Sequence, residues 1–169
     1  MRFVVTGEWS RNRLLRLIVV LYVVYVAGLW VTNAGLYLHK MSLEPASVVA
    51  YYLGDPDRFL QPRSVQGMLE VSHFHLFAMG MLLLVLTHLM LFVPLGNATK
   101  AWLIVVPFAS AALDEGSGWL VRFVHPVFAW LKVAGFLLLQ TSLLALMIVS
   151  LWAVFRGSGR HYRGGEPRA

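Results

Sequence analysis

Between Met68 and Leu95 the chain reads MLEVSHFHLFAMGMLLLVLTHLMLFVPL, an apolar stretch broken by His73, His75 and His88. At about 1.5 Å of rise per residue it is long enough to cross the roughly 30 Å of bilayer hydrocarbon as a helix. No water is available there, so each imidazole has to find a partner or face a cavity within a protein assembly. A lone helix cannot meet that demand, and the remainder of the chain has to supply others.

The composition is suited to doing so. The 169 residues are 59% hydrophobic with a mean hydropathy of +0.69, well above the range of soluble domains. Length and hydropathy together indicate one integral membrane bundle without a separate soluble domain. Cysteine is absent, which excludes disulfides, thiolate metal sites, iron–sulfur clusters and covalent haem attachment within this chain. The net charge of +6 comes from residues at the ends and turns of apolar segments, so it reports membrane topology rather than a nucleic-acid surface.

Taken in order, residues 1–13 form a basic start expected in the cytoplasm, and the apolar run 14–38 gives a first span expected to be retained as a signal anchor. The polar stretch 39–67 forms an outer loop. Within it SLEPASVVAYYLG predicts a short amphipathic helix over 43–53, with Ser42 as cap, Pro45 in the first turn and Gly54 as stop. Such a helix suits a docking surface for an electron carrier or a lid over the bundle. The second span is 68–95. A third, 99–113, is short and carries Pro107, and DEGSG at 114–118 reads as a turn. A fourth run, 119–155, is longer than a span requires, and a basic tail, 156–169, closes the chain. The fold class is therefore all-α, an integral membrane bundle of four transmembrane helices with a short periplasmic interfacial helix. Basic residues concentrate at the termini and at Lys100, which places both ends in the cytoplasm of a bacterial inner membrane.

This topology brings His39, His73, His75 and His125 to one level near the outer face. His88 lies 13 residues beyond His75, about 20 Å deeper. At 100° per residue His73 and His88 share the bundle-facing side, with His75 pointing elsewhere or replacing His73. Imidazoles separated vertically on one span are what two b-type haems stacked between helices require, together with thin positions, here Ala78, Gly80, Ala134 and Gly135, and cations near the propionates, here Lys40, Arg63 and Arg122. Lys132, two turns inward from His125, can serve a quinone head group, carry protons or neutralise a haem propionate, or, in a purely structural role, snorkel outward or pair with Glu70. The outer histidines could equally hold copper or zinc, or act only as interhelical hydrogen-bonding groups in a scaffold subunit.

At these positions the sequence resembles the four-helix membrane cytochromes b, the class of bacterial cytochrome b561 and of hydrogenase or dehydrogenase b subunits. The likeness rests on length, four spans and the His73/His75…His88 spacing with His125 on a later helix; it covers residues 14–155 and matches no signature string. It implies haem b held by His73 or His75 with His125, and by His88 if a second haem is present. It also implies electron transfer between the quinone pool and a periplasmic redox protein or another membrane subunit. No nucleophile–base pair, phosphate-binding glycine loop or inverted repeat points to a hydrolase, kinase or secondary transporter.

Overall fold

The computed structural model describes residues 13–156. The basic residues of the first twelve positions, and the tail beyond Arg156 with His161, lie outside the described residues. The described chain is all-helical. Helix α1 spans Arg13–Lys40, α2 Pro45–Leu53, α3 Val65–Met90, α4 Asn97–Phe123 and α5 Ala129–Arg156, with 3-10 turns at Pro56–Arg58 and Pro126–Phe128. Four of these helices have 26 to 28 residues, about 40 Å each. Three of the segments, Arg13–Lys40, Val65–Met90 and Pro126–Phe155, are long and apolar enough to cross a membrane. The chain is thus a multi-pass membrane protein in contact with lipid.

Helix α4 departs from the sequence expectation. DEGSG is not a turn: the helix runs unbroken from Asn97 through Pro107 and these residues to Phe123. The preference of Asp, Ser and Gly for turns is overridden by packing, because α4 and α5 form the most extensive helix pair. A Cβ added at Gly135 would stand 2.9 Å from the backbone nitrogen of Asp114, so the two backbones touch where the turn was expected. The break comes instead at His125-Pro126. His125 is extended (φ −161°, ψ 140°) and Pro126 opens the 3-10 turn, since a residue before proline is disfavoured in the α region. The runs expected over 99–113 and 119–155 are accordingly helices over 97–123 and 129–156; of the two, the second coincides with a segment long and apolar enough to cross a membrane.

The α3 boundaries have local causes. Ser64 Oγ accepts a hydrogen bond from the Gly67 amide (3.1 Å) and caps the start. At the other end Lys100 Nζ donates to the Leu91 carbonyl (2.8 Å), which holds the short turn into α4. For α2 the cap position is Glu44 rather than Ser42, with Pro45 in the first turn. Its stop, Gly54, has φ +85°, and a Cβ there would meet the Leu60 carbonyl at 2.7 Å. Asp55 then pairs with Leu60 through two backbone hydrogen bonds of 3.0 Å.

Two buried clusters stack along the bundle. One is aliphatic and includes Val19, Val23, Val26, Leu83, Leu86, Met90, Leu143, Leu146 and Val154. The other lies beneath α2 and is built from Tyr37, Met41, Val48, Tyr52, Met68, Val121, Val133 and Phe136. Val48 is fully buried and α2 packs on both α4 and α5, so α2 covers this end of the bundle.

Candidate functional site

Beneath α2 the long helices enclose a cavity of about 140 Å³ whose wall includes Tyr37, Tyr52, Arg63, His75, Asp114 and Lys132. Helix α5 supplies Lys132, buried to 6% exposure. Its Nζ lies 2.9 Å from Asp114 Oδ1 and donates to the Asp114 backbone carbonyl at 2.8 Å. The Oδ1 contact is one of charge rather than alignment, for this oxygen receives no aligned hydrogen bond. Lys132 therefore pairs with Asp114 and not with Glu70, whose carboxylate accepts from Gln66 Nε2. A desolvated ion pair returns little net stability, because the dehydration of both charges offsets their attraction.

Next to this pair Trp119 Nε1 donates to Ser72 Oγ (2.9 Å), and Ser72 Oγ donates to Glu115. The chain of bonds joins α4 to α3 and fixes the second carboxylate. Tyr37, on α1, stacks on Phe136 at 3.7 Å between ring centroids. Its hydroxyl is buried and has no partner, although a buried donor normally finds one. Two groups at the cavity thus have no hydrogen-bond partner, the Tyr37 hydroxyl and Asp114 Oδ1, the second of which is met only by the charge of Lys132.

The lid is fastened at its edge. Arg122 Nε donates to the Arg63 carbonyl (3.0 Å), the Arg63 amide donates to the Tyr52 carbonyl (3.1 Å), and the Arg63 guanidinium lies 4.0 Å over the Tyr51 ring. The two arginines expected near haem propionates thus secure the loop after α2, with Arg63 also on the cavity wall. Tyr52 sits over Gly118, where a Cβ would come within 2.5 Å of the phenol oxygen. Burial pushes the Tyr52 phenol above its ordinary range.

The histidines are spread rather than gathered. His39, His73, His75, His88 and His125 are all exposed in the single chain. Their contacts are local: His73 meets the Phe74 ring, His75 Nδ1 lies 3.3 Å from the Val71 carbonyl, and His88 meets Phe92. His88 falls in the last turn of α3. His125 is not on a span, and its Nδ1 accepts from the Val127 amide (3.1 Å) to cap the 3-10 turn. On α3 it is His75, not His73, that reaches the cavity wall. Among the described residues no group of three or more His, Asp or Glu side chains is placed to hold a metal ion.

Asp114, Glu115, Ser72, Trp119 and Tyr37 were not singled out from sequence as site residues. One signal was available for α4: Pro107, Ser110, Ser117, Gly118 and Val121 are its buried positions. This is a small-residue stripe at helical spacing that runs straight through DEGSG, as membrane helix contacts require.

In comparisons with known proteins, a family model described as a transmembrane helical domain matches residues 42–161. No curated protein matches, and no solved structure does.

Proposed function

The chain belongs to this family of transmembrane helical domains, and on that premise we propose that it is a four-span inner-membrane subunit that binds the head group of a quinone or quinol beneath α2. It would pass the electrons of the quinol to a periplasmic redox partner. The observation that carries the reading is the buried Lys132–Asp114 pair, facing a cavity in which the Tyr37 hydroxyl and Asp114 Oδ1 have no hydrogen-bond partner. A quinone ring offers two carbonyl acceptors, which suit Lys132 Nζ and the Tyr37 hydroxyl. A quinol offers two hydroxyl donors, which suit Asp114 Oδ1 and Glu115. Oxidation of the quinol breaks two O–H bonds and releases two electrons and two protons; Asp114 and Glu115, which accept the two hydroxyls, take the protons, His75 on the wall can receive them next, and the electrons leave one at a time to a redox centre on the partner.

Helix α4 is the fourth span in this reading. It matches its neighbours in length, and its two carboxylates are met inside the bundle by Lys132 and Ser72, which offsets the cost of placing them at membrane depth. By sequence, nine of the fourteen basic residues belong to the chain ends and the start of α4. That bias puts both termini in the cytoplasm and α2 at the periplasmic face.

The test is equilibrium binding of a short-chain benzoquinone to the full chain in lipid nanodiscs. Lys132→Met should weaken binding at least about tenfold, or roughly 1.4 kcal/mol. Because that change strands Asp114, the paired variant Lys132→Met/Asp114→Asn is measured beside it: a stable paired variant with wild-type affinity would overturn the proposal.

A second reading is a b-type haem shared between α3 and a neighbouring chain. It draws on His73, an ionisable side chain exposed on a span, where a group facing lipid calls for a partner. A dithionite-reduced spectrum of the protein isolated with its native partners decides it. A b-type α band lost in His73→Ala supports the reading, and a spectrum without the band removes it.

A further inference from the structure

A second cavity, about 160 Å³, lies between α3 and α4 and shares Asn33, His75, Asp114 and Glu115 with the first. We propose that it seats the apolar chain of the ligand, so that a prenyl- or alkyl-substituted quinone enters sideways from the bilayer, with its ring at Asp114 and Lys132 and its tail past Gly80. The proposal rests on the quinone reading and specifies the substrate class as a long-chain lipid-soluble quinone rather than a small soluble one.

The walls of the two cavities differ in the way such a molecule does. The first carries Lys132, Asp114, Tyr37 and Arg63. Beyond the shared residues the second is lined by Leu76, Met79, Gly80 and Leu83 from α3 and by Phe108 and Ala111 from α4, with other apolar side chains. Its mouth is on the lipid-facing side, since Leu76 is 63% and Phe108 40% exposed. Gly80 lies 15 residues beyond Val65, about 22 Å along a helix of about 39 Å, which is membrane depth. A Cβ at Gly80 meets nothing within 4 Å, so the glycine leaves room that no neighbouring side chain fills. On its α2 side the first cavity is roofed by Tyr52, at 9% exposure, with Val48 of the same helix fully buried. A phospholipid would also offer a head and chains, but Asp114 and Glu115 repel a phosphate, whereas an uncharged ring with paired oxygens is compatible with both.

The experiment compares two probes with the same dimethoxy-methyl-benzoquinone ring, one bearing a decyl chain and one bearing none, on the full chain in nanodiscs. Concentrations are expressed per lipid, so that bulk partitioning cancels. In the unmodified protein the decyl probe should bind at least about tenfold more tightly. Gly80→Phe, and independently Ala111→Phe from the facing helix, should reduce that ratio below about threefold and leave the tailless probe's affinity unchanged. Retained tailless binding also certifies the fold of each variant. Equal affinities in the unmodified protein, or a ratio indifferent to both substitutions, would overturn the tail seat and leave the quinone reading standing. Binding of neither probe, or displacement of the tailless probe by phosphatidylglycerol, would overturn both.

Discussion

The two halves of the bundle handle polar atoms in opposite ways. In the aliphatic half two hydroxyls bond back to their own helix, Thr87 Oγ1 to the Leu83 carbonyl (2.6 Å) and Ser142 Oγ to the Leu139 carbonyl (2.9 Å), while the Ser150 hydroxyl and the Gln140 side-chain amide are buried without a hydrogen-bond partner. Where a bond crosses between helices there, an aromatic donor reaches a backbone carbonyl, as from Tyr22 to Leu82 (3.0 Å) and from Trp30 to Gln140 (2.9 Å). In the half beneath α2, side chains bond and pair across helices with one another, Lys132 with Asp114 and Trp119 through Ser72 with Glu115. One half holds the helices together by close packing, the main attraction left between helices in lipid. The other holds ionisable groups in fixed relation around a cavity, and that is where chemistry can be done.

The largest effect that would break this contrast is expected at Lys132. Lys132→Met leaves a buried carboxylate unpaired and should cost about 3–5 kcal/mol of stability, whereas the paired Lys132→Met/Asp114→Asn variant should recover most of it. Denaturant unfolding in detergent micelles measures both, and two equal losses would deny that the pair is coupled. In the aliphatic half Leu86→Ala should cost about 2 kcal/mol, the low end of the soluble range, because the cavity term remains while transfer from water does not contribute. Quinone affinity should not move with it; a parallel loss would mean that the halves are not separate. Gly135→Ala should cost about 1–3 kcal/mol by forcing the α4 and α5 backbones apart, with Gly80→Ala close to neutral since that site is open. The smallest effect is one of pH. Because burial raises the Tyr52 phenol, its contribution to stability is complete below the unfolded value of about 10 and is lost as pH rises beyond it. Melting temperatures followed from pH 8 to 11 should fall less in Tyr52→Phe than in the unmodified protein.

The all-helical membrane architecture was legible because apolar runs of span length admit few alternatives, and the short helix over 43–53 appeared as Pro45–Leu53. The break before α5 was misplaced because DEGSG carries turn residues, while the cue that prevailed was the single proline after His125. The site was only partly legible. Lys132 stood out as a charge in an apolar run, but its partner did not, since Asp114 and Glu115 counted as residues of an outer turn. Histidines draw attention by their chemistry, yet the side to which each points depends on helix rotation. The apolar residues of α3 run round the whole helix rather than along one face, so its rotation is not written in the pattern and the wall position of His75 came only from the packing.

Helix α4 has a consequence for how the protein is made. Unlike the other three long helices it is not apolar enough to pass as a span by itself, and an aspartate at mid-helix opposes insertion by about 2.5–3.5 kcal/mol. Lys132, which answers that charge, is synthesised eighteen residues after Asp114. With α4 as the proposed fourth span, nothing neutralises it when it emerges first, so α4 and α5 are expected to enter the bilayer together, as one hairpin closed by its own ion pair.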